Sequence, residues 1–271
     1  MSTLIYSNDN ILIKIIYGVF WITGKNVISF VSAIGRFSIF LKKTVFAFFT
    51  GKFFLKVFFN SLFVNGFCSI PVICLTGLFT GSVLALQLFL SLKTFGVEST
   101  VPYIVLLALT KELAPVLCAL MMVSRVGSSM SAEIGSMATN NQIDILTTMS
   151  INKYRFLYIP RIASIVVAQP ILTTIAVISG VIGSFTISTT MFDFTDISFY
   201  NLVYEGFELV AYLMCVIKSC VFGLIISTIA CYKGNKTKDG AVGIKNTTIS
   251  TVVLCCVYIL IMNFLITWLM S

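Results

Sequence analysis

An all-α polytopic membrane protein is the fold class this chain predicts, and three observations carry it. Hydrophobic residues make up 58% of the 271 residues and charged residues only 10%. Mean hydropathy is +1.02. The apolar residues gather in five long runs, each near or above the roughly 20 residues a helix needs to cross hydrocarbon. A soluble domain of average composition has no such runs. The expected architecture is an N-terminal interfacial helix followed by five transmembrane helices, with the N-terminus cytoplasmic.

Residues 1–56 form the N-terminal amphipathic region. Its first apolar run, Ile11–Ile22, is interrupted by Lys14, and the residues before it carry Asp9 and no Lys or Arg. A cleaved signal peptide begins with a basic stretch, so no cleavage is expected. The next stretch, Val27–Phe49, holds Arg36, Lys42 and Lys43. Three cations in one lone span would be costly, whereas a mixture of aromatic, aliphatic and basic residues suits a helix lying in the membrane interface. The sequence leaves open whether residues 27–49 span or lie flat.

Residues 57–271 form one integral domain with spans at about 61–92, 101–123, 162–189, 209–232 and 249–270. The first is longer than a bilayer requires, and a break near Pro71 or a tilt would absorb the excess. Its Gly77 and Gly81 have the spacing that lets a second membrane helix approach closely. The third contains Pro170 and the small residues Gly180, Gly183 and Ser184, and the fourth carries Lys218.

Charge sets the orientation. Seven basic residues precede the first span, four (Arg125, Lys153, Arg155, Arg161) follow the second, and four (Lys233, Lys236, Lys238, Lys245) follow the fourth. Fifteen of the eighteen Lys and Arg residues thus lie on one side. The other side holds Lys93 with Glu98, then Asp193, Asp196, Glu205 and Glu208 without a cation. Cytoplasmic loops collect Lys and Arg, which places the N-terminus inside and the C-terminus outside.

Several chemistries drop out. The chain has no histidine, so it lacks the commonest general base and the commonest metal ligand. Its eight cysteines (68, 74, 118, 215, 220, 231, 255, 256) fall in apolar stretches without zinc-type spacing and read as small buried hydrophobes. No metal and no cofactor are expected. The net charge of +8 sits beside hydrophobic spans, which points to anionic headgroups and orientation and not to nucleic acid. The glycines of Lys238–Thr248 lack phosphate-loop spacing, and Gly24-Lys25 is followed by Asn26. If ATP drives this chain, another chain hydrolyses it.

Two segments stand out. Lys111 and Glu112 are adjacent inside the second span, where ionisable groups are rare and mark a substrate path more often than not. Neighbouring helical residues point about 100° apart, so the two need not pair with each other. Pro115 frees the carbonyl of Lys111 from its usual helical donor, and Lys218 of span four is a candidate partner for Glu112. The second segment, 125–151, is rich in small residues and ends in Asn-Asn-Gln-Ile-Asp. A connection of that length is uncommon unless it has a use. A short helix that docks on a soluble partner is expected, with Ala132, Glu133, Gly135, Gln142 and Asp144 as contact candidates.

These segments carry a resemblance. Thr110-Lys-Glu-Leu-Ala-Pro-Val, Ser124-Arg-Val-Gly-Ser, Ala132-Glu-Ile-Gly-Ser-Met, Gln142-Ile-Asp, Pro160-Arg-Ile-Ala and Lys218-Ser-Cys-Val-Phe-Gly occur in an order that resembles the MlaE/YrbE family. Its members are permease subunits of ABC transporters that move phospholipids between membranes. The resemblance runs from about Val57 to the C-terminus. It implies a homodimeric multi-pass protein of the inner membrane, without enzymatic activity of its own, that binds phospholipid. It also implies a cytoplasmic ABC ATPase and a periplasmic MCE-type lipid-binding subunit as partners. By motif, residues Ala132–Gly135 fall on the ATPase-coupling region, and Lys111 with Glu112 on a basic-Glu pair near the lipid cavity. There Lys stands where Arg is commoner, keeping the charge but losing bidentate geometry. The rival reading is a self-contained secondary transporter or channel using Lys111, Glu112 and Lys218 as an ion relay.

Overall fold

The computed structural model describes residues 24–25, 28, 31–32, 34–48, 54–97, 100–192, 196–238 and 240–270, with backbone alone at 192 and 196–198. The chain divides into two units, residues 1–49 and 50–271. The described part of the first unit is helical, with its longest continuous stretch, α1, at 34–48. Arg36, Lys42 and Lys43 are exposed on it, whereas Phe40, Thr44 and Ala47 share one face at helical spacing. The apolar run at 11–22, for which no cleavage is expected, lies outside the described residues.

The second unit contains five helices long and apolar enough to cross a membrane: α2 (Leu55–Lys93), α3 (Val101–Thr139), α5 (Tyr154–Met191), α7 (Leu209–Asn235) and α8 (Gly240–Met270). Two short helices join them, α4 (Gln142–Thr148) between α3 and α5, and α6 (Asp196–Glu205) between α5 and α7. Among the described residues there is no strand.

Local chemistry explains the irregularities. The 39 residues of α2 would reach about 58 Å as one α-helix, far beyond the hydrocarbon thickness. They break at a 3-10 turn, Phe67–Ser69, and resume with Pro71 in the first turn of the next segment, where a missing N–H costs nothing. Arg125 donates to the carbonyl of Cys68 in that turn. Helix α3 contains two π-helical turns, Leu109–Leu113 and Val123–Gly127. The first immediately precedes the Ala114-Pro115 pair, whose proline cannot continue the regular ladder.

Helices α2 and α5 cross with their backbones in close approach. A Cβ on Gly81 would lie 1.9 Å from the carbonyl oxygen of Gly180, and one on Gly183 would lie 2.1 Å from that of Leu78. A Cβ on Gly77 would meet the Ser179 hydroxyl and the Ala176 carbonyl, and the Ser82 hydroxyl donates to the Gly183 carbonyl at 3.0 Å. Here the glycines let backbone meet backbone, as small residues do in membrane helix pairs. Beyond the crossing, Ala85 and Phe89 of α2 pack on Val101, Val105 and Leu109 of α3. That packing fixes the height at which the next residues of α3, Lys111 and Glu112, enter the bundle.

Candidate functional site

A polar network joins α3, α7 and α8 within otherwise apolar helices. Lys218 of α7 is 3% exposed and lies 2.8 Å from Glu112 Oε1, with Glu112 41% exposed. Its ammonium also donates to the Lys111 carbonyl and to Thr267 Oγ1, each at 2.8 Å. Those three acceptors match the three protons of an ammonium group. On the other side of Glu112, Asn263 Nδ2 donates to Oε2 at 2.9 Å. The Thr267 hydroxyl lies 2.9 Å from Glu112 Oε1 and 2.8 Å from the Asn263 carbonyl, one of which takes its single proton.

The π-turn and Pro115 explain why the backbone joins in. Pro115 has no N–H to offer the Lys111 carbonyl, and Lys218 supplies the missing donor. A charged donor is the stronger kind, and an unpaired carbonyl in hydrocarbon is what a membrane helix must avoid. Of the three lipid-path candidates, Lys218 and Glu112 come together directly. Lys111 contributes its backbone to this cluster and sends its side chain elsewhere.

The Lys111 ammonium lies 3.4 Å from Glu208 Oε2, with the two side chains 44% and 47% exposed. Glu208 is the residue just before α7, in an extended conformation (φ −90°, ψ 118°). Adjacent charges on α3 thus pair with different carboxyl and amino partners, as their angular separation requires. Sequence reading missed Asn263, Thr267 and Glu208. The first two had a signal: they stand four residues apart, on one face of an almost wholly apolar run. Glu208 had none beyond its position at a span end.

The second candidate region is not a single element. Residues 128–139 continue α3 without interruption and pack against α7 and α8. Ser131, Ile134 and Gly135 are buried and Ala132 half-buried. A Cβ on Gly135 would lie 2.9 Å from Thr237 Oγ1, and one on Gly234 would lie 2.8 Å from the Ile134 Cβ. Glu133 is exposed and pairs with Arg161 of α5 at 3.3 Å. The separate short helix is α4. It is bounded by two left-handed residues, Asn141 (φ 56°) and Ser150 (φ 60°), and anchored by the buried Ile143. Gln142 and Asp144 are exposed on it, beside the exposed Ile145 (54%) and Met149 (65%). Ala132, Glu133 and Gly135 therefore belong to the bundle end, and Gln142 and Asp144 to the projecting turn.

Among the described residues, no three His, Cys, Asp or Glu side chains gather as a metal site would need. An apolar cavity of about 360 Å³ lies at the break in α2, lined by residues such as Phe59, Phe63, Phe67, Ala168 and Leu172.

Helix composition and buried ionic network together define a multi-pass membrane protein with a polar centre. Residues 58–269 match the family model described as Permease MlaE, and the chain belongs to that family. It is 36% identical over 244 residues to a probable ABC transporter permease protein of Rickettsia conorii, covering 90% of this chain and 94% of that one. A probable ABC transporter permease protein of Rickettsia felis is 37% identical with the same coverage. A third, from Synechocystis, is 35% identical over 202 residues, 74% of this chain and 77% of the relative.

Proposed function

We propose that this permease moves phospholipid between the inner and outer membranes, as a homodimer in the inner membrane, with a separate cytoplasmic ATPase as its motor. The observation that carries the reading is the Glu112–Lys218–Asn263–Thr267 cluster. It is the charged centre of predominantly apolar spans, an arrangement suited to holding a headgroup below the membrane surface. Glu112, partly open beside a saturated Lys218, and Lys111 give that centre both signs of charge, which suits a zwitterionic or anionic amphiphile. Acyl chains need only the apolar helix faces around it.

The ATPase would dock on α4. Its exposed Ile145 and Met149, flanked by Gln142 and Asp144, form an apolar spot with a polar rim on a short rigid turn. Movement there reaches the polar centre through α3, which runs from the bundle end to Lys111 as one helix. Glu133 ties α3 to α5 through Arg161, so its proposed coupling role lies in joining two spans. An MCE-type subunit on the opposite face would receive or deliver the lipid.

The test is purification of the tagged chain from its native membrane, identification of co-purifying chains, and ATP-dependent lipid transfer by the isolated assembly. Co-purification of a Walker-motif ATPase and an MCE-type protein, with transfer that stops without ATP, supports the reading. Transport by the chain alone in nucleotide-free liposomes overturns it in favour of a secondary carrier.

A further inference from the structure

The two intramembrane lysines differ in what they have left to offer. Lys218 is buried, and its three N–H groups are each taken by an acceptor at 2.8 Å. A ligand could reach it only by dismantling the links among α3, α7 and α8. Among the described residues, Lys111 has one ion-pair partner, Glu208, at 3.4 Å, and both side chains are close to half exposed. At 3.4 Å the contact is longer than a tight charge-assisted hydrogen bond. Half-exposed ion pairs hold together weakly. Glu208 is the residue at which α7 begins; its carbonyl accepts the first helical bond, from the Tyr212 N–H at 3.1 Å, so releasing Lys111 takes only a rotation of the Glu208 side chain.

Charge accounting points the same way. Glu112 has its carboxylate oxygens committed to Lys218, Thr267 and Asn263. Among the described residues, the cation at this centre with an exchangeable partner is Lys111. A carboxylate resembles a phosphate in charge sign and in presenting oxygens to an ammonium, so Glu208 occupies the place that an incoming phosphate oxygen would take.

We infer that Glu208 is a displaceable counter-ion for Lys111, which a phosphate-bearing amphiphile must push aside to bind, making Glu208 a positioning residue that sets the affinity of the site for phosphate headgroups. The inference rests on the phospholipid reading above. With no ligand present, the Lys111–Glu208 pair keeps an intramembrane cation neutralised, which hydrocarbon demands. When a phosphate arrives, Lys111 exchanges one anion for another, and the carboxylate swings towards the end of α7, where water is nearer. The net charge around Lys111 is conserved through the exchange.

The experiment uses the full chain in an uncharged detergent. It is titrated with dioctanoyl phosphatidylglycerol, and with dioctanoylglycerol as the phosphate-free control, in wild type, Glu208→Gln, Glu208→Asp, Lys111→Gln and the Lys111→Gln/Glu208→Gln double variant. Glu208→Gln is expected to tighten phosphatidylglycerol binding by about two- to fivefold, the range a weak ion pair removes. Dioctanoylglycerol binding should stay unchanged, and Glu208→Asp should remain near wild type. In the Lys111→Gln background the Glu208→Gln effect should vanish, because a counter-ion acts only through its ion. A Glu208→Gln gain that is equal for both amphiphiles, or that survives the loss of Lys111, overturns the inference, and so does unaltered or weaker phosphatidylglycerol binding in Glu208→Gln. If wild type binds neither amphiphile, the phospholipid reading itself fails, a result distinct from wild-type binding that ignores Glu208.

Discussion

Lys218 donates to the backbone carbonyl of Lys111 at 2.8 Å, the carbonyl that Pro115 leaves without a helical donor. One ammonium therefore repairs a proline defect in α3 and neutralises Glu112 one residue further on. The π-turn at Leu109–Leu113 opens the backbone where this repair is made. Proline and lysine, 103 positions apart in the chain by their numbers, form one structural unit.

Removing the lysine should expose that dependence. Lys218→Met leaves Glu112 without its cation and the Lys111 carbonyl without its donor. Breaking a buried pair costs about 3–5 kcal/mol, and the partial exposure of Glu112 places this one nearer about 2–3 kcal/mol. The melting temperature of the purified protein in detergent should fall, and Lys218→Met/Glu112→Gln should recover part of the loss by removing the orphaned charge. A double variant no more stable than Lys218→Met would show that the carbonyl, and not the carboxylate, is the group Lys218 serves.

The α2–α5 crossing makes a second prediction. Gly81→Leu pushes a side chain into the Gly180 backbone, which has no rotamer with which to yield. Overpacking of this kind costs about 1–3 kcal/mol or more, so a clear drop in thermal stability is expected. Gly35→Ala is the contrast: a Cβ there meets nothing within 4 Å, and helix propensity favours alanine by about 1 kcal/mol. Equal behaviour of the two variants in a detergent melt would contradict the packing described here.

Much of this was legible in the sequence, for reasons that can be named. The spans announced themselves through apolar run length, and the break in α2 through Pro71. Gly77 and Gly81 advertised a close crossing, though not that Gly180 and Gly183 supply its other half, because the sequence contains no pairing information between helices. Lys111, Glu112 and Lys218 stood out because charge is rare in such surroundings. Residues 128–139 carry two meanings, since Ser, Gly and Ala read as a polar connection in water and as a packing surface in a membrane bundle. Only the tertiary contacts of Gly135 with Thr237, and of Ile134 with Gly234, decide between those meanings. Glu208 was invisible because its relevance depends on where the Lys111 side chain points.

The division between bundle end and projecting turn can be tested with two substitutions. Ile145→Glu places a charge on the exposed apolar spot of α4 without disturbing the core, so thermal stability should change by less than about 0.5 kcal/mol. ATPase capture from a membrane extract should fall at least tenfold if that spot is the docking site. Gly135→Val should do the reverse, lowering stability through its clash with Thr237 and affecting capture only in proportion. Undiminished capture by Ile145→Glu would move the docking site off α4.

The distribution of Lys and Arg predicts an orientation, and two exposed positions test it. Tyr204, 85% exposed at the end of α6, lies in the acidic connection between α5 and α7. Lys238, exposed between α7 and α8, lies in the basic one. Because α7 separates the two positions by a single crossing, they must face opposite compartments whichever way the bundle is inserted. In a cysteine-free background, a membrane-impermeant maleimide added to intact cells whose outer membrane has been permeabilised should label Tyr204→Cys and spare Lys238→Cys until the inner membrane is opened. The reverse pattern would invert the topology, and with it the assignment of α4 to the cytoplasm. Simultaneous labelling of both in sealed cells would mean that α7 does not cross, which would remove the basis for placing Lys218 inside the membrane.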